Sequence, residues 1–146
     1  MLQSKELRAS SLAVISLQAR RGFSEPNVLW SVDYAPEPED HRRVVFATLH
    51  AFDESGGGYT TVAAMVEYPE DCDPSSEEFE NALRDSEAVE SLYDLARTVL
   101  RTVCATVDSI PQIETEAPRA EYGQLQKANN ADEADSGAAQ IEESGK

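Results

Sequence analysis

The chain has 146 residues, enough for one domain with a modest core, and its 28 acidic residues against 12 basic ones give a formal net charge of -16. That charge opposes contact with nucleic-acid phosphates and with anionic membrane surfaces, so neither is an expected partner. No apolar run approaches the ~18 residues that a spanning helix needs.

From the start, residues 1–11 read as an N-terminal arm, and the apolar stretch at 12–17 is short and lacks a small-residue cleavage pattern, which gives a cytoplasmic expectation. β-like segments follow at 12–19, 28–34, 44–52 and 59–68. In the second, Val28, Trp30, Val32 and Tyr34 alternate with Leu29, Ser31 and Asp33, the period of a strand with one buried face. The connection at 20–27 holds Phe23 between Arg20-Arg21-Gly22 and Ser24-Glu25-Pro26, a polar and turn-prone setting for a large aromatic. Residues 35–40, Ala-Pro-Glu-Pro-Glu-Asp, form a loop, since each proline removes a ladder donor.

Strands three and four are joined by Asp53-Glu54-Ser55-Gly56-Gly57-Gly58, read as a hairpin loop whose glycines permit positive φ. A phosphate cradle would need a helix start and a lysine after the glycines, and neither is present. Along the third strand, Val45, Ala47, Leu49 and Ala51 alternate as an apolar set expected to need covering by something other than the helix on the opposite face. In the next connection the acidic cluster at 70–73 lacks the alternating oxygen ligands and the glycine of a calcium loop. Ser75 with Glu78 then fits a capping box, and a short helix is expected over 76–84.

The strongest signal lies at 86–107, where Val89, Leu92, Tyr93, Ala96, Val99, Leu100, Val103, Cys104 and Val107 recur at helical spacing. Pro111 is expected to stop this long helix, and the chain continues extended over 110–118 towards Tyr122 and Leu125. Residues 127–146 hold Ile141 as their one large apolar side chain and read as a disordered acidic tail. Catalytic patterns are missing: His41 and His50 form no zinc spacing, Cys72 and Cys104 no CxxC pair, and there is no GxSxG elbow or dinucleotide fingerprint. No cofactor or enzymatic activity is expected, and Cys104 reads as a core residue.

The order of these elements resembles the SecB family of export chaperones, including its SecB-like branch associated with toxin-antitoxin systems. Leu92-Tyr93-Asp94-Leu95-Ala96-Arg97 is similar to the family's Leu-Phe-Pro-Tyr-Ala-Arg near the start of its long helix. Pro111-Gln112-Ile113 and Ala117-Pro118 resemble its proline-flanked extended piece, while Thr48-Leu49-His50-Ala51 and Val66-Glu67-Tyr68 match the places of its last hairpin. The likeness spans residues 12–126. Asp94 stands where the family has proline, and Tyr59-Thr60-Thr61-Val62-Ala63 lacks the fourth-strand carboxylate that helps dock the ATPase SecA.

The resemblance implies an α+β fold, a four-stranded antiparallel sheet packed by a long helix, with a shorter C-terminal helix. It implies an ATP-independent holdase, assembling as a dimer or tetramer, that binds unfolded or partly folded polypeptide for SecA-linked export or for one client such as an antitoxin. Capture would occur between the sheet, the strand-one to strand-two crossover and the long helix. Phe23, Trp30, Leu92 and Tyr93 are the candidate client contacts, because such side chains supply large contact area, with core packing as the alternative for each. The rival class is an acidic inhibitor or adaptor covering a basic partner, suggested by the net charge and the clusters near 37–40 and 71–73.

Overall fold

Alternation along four long strands builds the sheet: β1 (Arg8–Arg21), β2 (Asn27–Tyr34), β3 (Arg42–Asp53) and β4 (Gly56–Glu67). Two helices follow, α1 (Ser76–Arg84) and α2 (Glu87–Thr106), and then a short fifth strand, β5 (Glu121–Gln124). These come from a computed structural model that describes residues 2–109 and 111–126. The tail expected at 127–146 lies outside the described residues.

The sheet order is β1-β4-β3-β2-β5, antiparallel except for the parallel β2–β5 pair. Five strands in a mixed sheet thus replace the expected four antiparallel ones, and residues 121–124, in the segment expected to lead into a C-terminal helix, are a strand. Local propensity and an open edge explain the difference. Gly123 and the nearby Pro118 disfavour a helix, whereas β2 offers a row of unpaired backbone groups. Ser31, Val32, Asp33 and Tyr34 face Glu121, Tyr122, Gly123 and Gln124, and Leu125 N–H donates to the Tyr34 carbonyl at 2.8 Å.

One sheet face carries Trp30, Val32, Tyr34, Val45, Ala47, Leu49, Ala51, Val62 and Val66, all buried in the core that α1 and α2 complete. The set Val45, Ala47, Leu49 and Ala51 is therefore the face that the helices cover, where a cover other than the helix was expected. Half-exposed instead are the other alternates, Val44, Phe46, Thr48, His50 and Phe52. Both phases of β3 are rich in apolar residues, so alternation alone does not say which faces the helix. On the outer face His50 stacks on Tyr59 with ring centroids 5.3 Å apart, and Arg20 lies over the Phe52 ring at 5.5 Å.

The segment expected to be an arm belongs to the fold: Leu2 and Leu7 are buried, and residues 8–11 extend β1. Irregular register between Ser10 and Ala13 and between Val14 and Ser16, with Ser11 at φ 56°, breaks the alternation that would have revealed the longer strand. The glycine run also differs from a simple loop. Only Glu54 and Ser55 lie between β3 and β4, and Gly56 and Gly57 adopt φ of 127° and 151° inside β4. A Cβ on Gly57 would overlap the Ala51 carbonyl of β3, and one on Gly58 the Gln18 carbonyl of β1. The glycines let β4 thread between two close neighbours.

Candidate functional site

Helix α2 begins where Ser86 Oγ accepts from Val89 N–H at 3.4 Å while donating to the Leu83 carbonyl at 2.8 Å, which joins the end of α1 to the start of α2. Its apolar stripe buries Val89, Leu92, Tyr93, Ala96, Leu100 and Cys104 against the sheet. Burial pushes the Cys104 thiol up, as suits a core residue. The helix ends before Pro111 rather than at it: Val107 is the C-cap, Asp108 turns at φ 56°, and Ser109 N–H returns to the Cys104 carbonyl at 3.0 Å.

The chain then runs back along α2. Ile113 is buried, Tyr93 Oη donates to the Glu114 carbonyl at 2.6 Å, and Arg97 Nε donates to the Ile113 carbonyl at 3.1 Å. Beyond these clamps, residues 115–120 stand off from the helix before β5 pairs with β2. Between this strap, the first half of α2 and β2 lies an open groove of about 740 Å³, within the size range of ligand clefts. Apolar lining comes from Trp30, Val89, Tyr93, Pro118, Ala120 and Tyr122. Asp85, Glu90, Asp94 and Glu116 set four carboxylates on the lining against the guanidiniums of Arg84 and Arg119, which favours cationic or neutral occupants.

Trp30 and Tyr93 pack edge to face, ring centroids 5.2 Å apart and planes at 77°. Both are nearly fully buried, at 2% and 1% exposure, so each is core and groove wall together. Burial raises the Tyr93 phenol above its ordinary range, keeping its proton on the Glu114 bond. The Trp30 indole Nε1–H is buried without a hydrogen-bond partner among the described residues. Leu92 is fully buried and does not line the groove.

Phe23 stands apart from the other three. It is 76% exposed on the β1–β2 crossover, which is pinned over the β3–β4 turn by Gly22 N–H to the Ser55 carbonyl (3.1 Å) and Ser24 N–H to the Asp53 carbonyl (3.2 Å). The Ser55 and Ser109 hydroxyls meet at 3.3 Å, placing the C-terminal end of α2 beside that turn, whereas the groove lies along the helix's first half. The crossover does not line the groove. Val89 and Tyr122 were not among the sequence candidates. Tyr122 had a usable signal, as the one aromatic residue between Tyr93 and the chain end.

No family model matches the chain, and no curated protein does. Among solved structures, the chain is similar to the SecB-like chaperone Rv1957 of Mycobacterium tuberculosis, determined in complex with a ChAD peptide from the Rv1956 HigA1 antitoxin. The TM-score is 0.54 at 15% identity, over 77% of this chain and 91% of that one. The α+β fold is thus SecB-like, and the likeness extends to fold alone.

Proposed function

We propose that this protein is a non-enzymatic, ATP-independent holdase of the cytoplasm that binds an extended, partly apolar segment of an unfolded or partly folded polypeptide. The observation that carries this reading is the groove itself, open, aromatic-walled and beside a strand edge, in a SecB-like fold. One dedicated client, such as an antitoxin, suits it better than SecA-linked export. The structural neighbour holds an antitoxin peptide, and residues 59–63 of β4 offer no carboxylate where the family resemblance would place the one that helps dock SecA.

The test is suppression of aggregation of a chemically unfolded protein at low and high ionic strength, beside mass spectrometry of what co-purifies from the native host. Capture by apolar contact persists in salt, and a dedicated client appears as one enriched polypeptide. Loss of binding as salt rises would replace the holdase by the acidic inhibitor or adaptor, whose contacts are screened. Phe23→Ala adds a local test. An exposed aromatic contributes little to folding, so stability should change by less than about 0.5 kcal/mol. Client affinity should fall by about 1–2 kcal/mol if the crossover is a second contact. Unchanged affinity would confine binding to the groove.

Self-association belongs to the same proposal. Strand β1 is a long sheet edge without a second strand partner among the described residues, and it exposes Leu12, Val14, Ile15 and Leu17, the third at 56%. Light scattering at micromolar concentration is expected to report a dimer or tetramer, and Ile15→Lys with Leu17→Lys to yield a monomer of similar melting temperature. A parent protein that is monomeric throughout would overturn this part.

A further inference from the structure

Strand β5 has the marks of a displaceable element. It pairs over four residues, in the parallel sense that is the weaker per residue, and it sits at the sheet edge. Its side-chain hold comes from Tyr122, whose ring lies under the Arg84 guanidinium at 4.4 Å and whose hydroxyl reaches the Arg84 carbonyl at 3.5 Å, and from Gln124, whose side chain hydrogen-bonds Tyr34. Arg84 is held in turn by Glu80 at 2.7 Å, and Glu80 accepts from Tyr34 Oη at 2.9 Å. Next to Tyr122, a Cβ on Gly123 would come within 2.9 Å of Asp33 Oδ1, the end of a flexible side chain that can swing aside, so Gly123 adds little hold of its own. The firm anchors of the returning chain, at Ile113 and Glu114, lie before the strap begins.

Resting on the holdase reading, we infer that residues 115–125 are a built-in surrogate for the client. In the resting protein they occupy the β2 edge and wall the groove, and an extended client segment carrying an aromatic at the position of Tyr122 takes their place. The client would add a strand to β2, its backbone satisfying the same groups that β5 satisfies now, and set its aromatic beside Arg84. Opening the strap also exposes the groove wall at Trp30, whose unpartnered indole N–H supplies a donor for a client carbonyl. The tethered strand competes at the millimolar effective concentration typical of a short linker, so only a segment that outbinds it enters. That restricts the range of clients.

The probe is a labelled synthetic peptide of residues 118–126, Pro-Arg-Ala-Glu-Tyr-Gly-Gln-Leu-Gln, added to the full chain and to full-chain Tyr122→Ala and Gly123→Pro, the second of which takes a backbone donor out of β5. Each variant weakens the tethered copy at a half-exposed edge position. Both should bind the peptide roughly tenfold or more tightly than the parent does, and the same peptide with alanine for tyrosine should not bind. Trp30 is the sole tryptophan, so its emission reports the groove directly, shifting in the variants and returning when the peptide binds. Amide exchange in the unmodified chain needs no variant: the residue 121–125 amides should exchange roughly 100-fold faster than those of β3. Equal peptide affinity for parent and variants, no binding to variants that melt like the parent, or 121–125 amides as protected as the core would overturn the inference. A concentration-dependent Trp30 signal in the parent would overturn it too, by assigning the edge to a second copy. Aggregation suppression is read separately, so a protein that exchanges its strap yet holds no client removes the holdase reading alone.

Discussion

Leu92→Ala is expected to lower stability by about 3–5 kcal/mol, because a fully buried leucine on the sheet-facing stripe of α2 loses both its transfer free energy and its packing partners. For a domain of this size that is a fall of roughly 10 °C in melting temperature. Leu92→Met, similar in volume, should cost less than about 1.5 kcal/mol. Because Leu92 lies beneath the groove wall and not on it, the folded fraction of the alanine variant should bind client with unchanged affinity. A stable variant with weakened binding would reverse that assignment and restore Leu92 as a contact.

Arg43→Met is expected to cost about as much, roughly 3–5 kcal/mol, for a different reason. Arg43 is 3% exposed on the helix-facing side of β3, and its guanidinium donates to the carbonyls of Ala35 (3.0 Å), Pro36 (2.8 Å) and Pro74 (3.3 Å) and to Ser76 Oγ (3.1 Å). It also lies over the Phe79 ring at 5.1 Å. None of these acceptors is a carboxylate. One cation thus ties the proline-rich β2–β3 loop to the segment entering α1, satisfying carbonyls that proline-containing turns leave without ladder partners. Methionine fills the volume and leaves those carbonyls unpaired. Lysine keeps the charge but not the planar fork, so Arg43→Lys should recover only part of the loss in a urea titration. A midpoint unchanged in both variants would show that water satisfies the loops equally well.

Much of the architecture was legible because local signals agreed with the tertiary outcome. The capping box predicted from Ser75 and Glu78 forms in both directions, at 3.2 and 3.3 Å, and α1 spans the expected residues 76–84. Helix α2 falls one residue inside the expected 86–107 at each end, with Ser86 as its cap. What was hidden depended on neighbours distant in sequence. Glu121-Tyr122-Gly123-Gln124 has no strand pattern of its own and is a strand because β2 offers an edge. The inner phase of β3 was hidden too, because Arg43 occupies the same phase as Val45 and Leu49 and reads locally as a surface charge. Of the site candidates, Trp30 and Tyr93 were brought together in one groove wall. Phe23 was separated from them because the crossover folds over the far turn of the sheet, a path set by hydrogen bonds to residues 53 and 55.

The sheet's two margins are unequal, and this bears on how large an assembly can grow. A strand with a free ladder on both sides would behave like a bifunctional monomer, adding copies without limit, as fibrils do. Here β5 covers β2 and presents a margin only four residues long, while the fourteen-residue β1 is open among the described residues. In the terms of polymer chemistry the protomer is monofunctional for as long as β5 stays docked. If β1 pairs with β1 about a two-fold axis, as proposed, that contact uses the one open margin, so growth along the sheet would end at two copies.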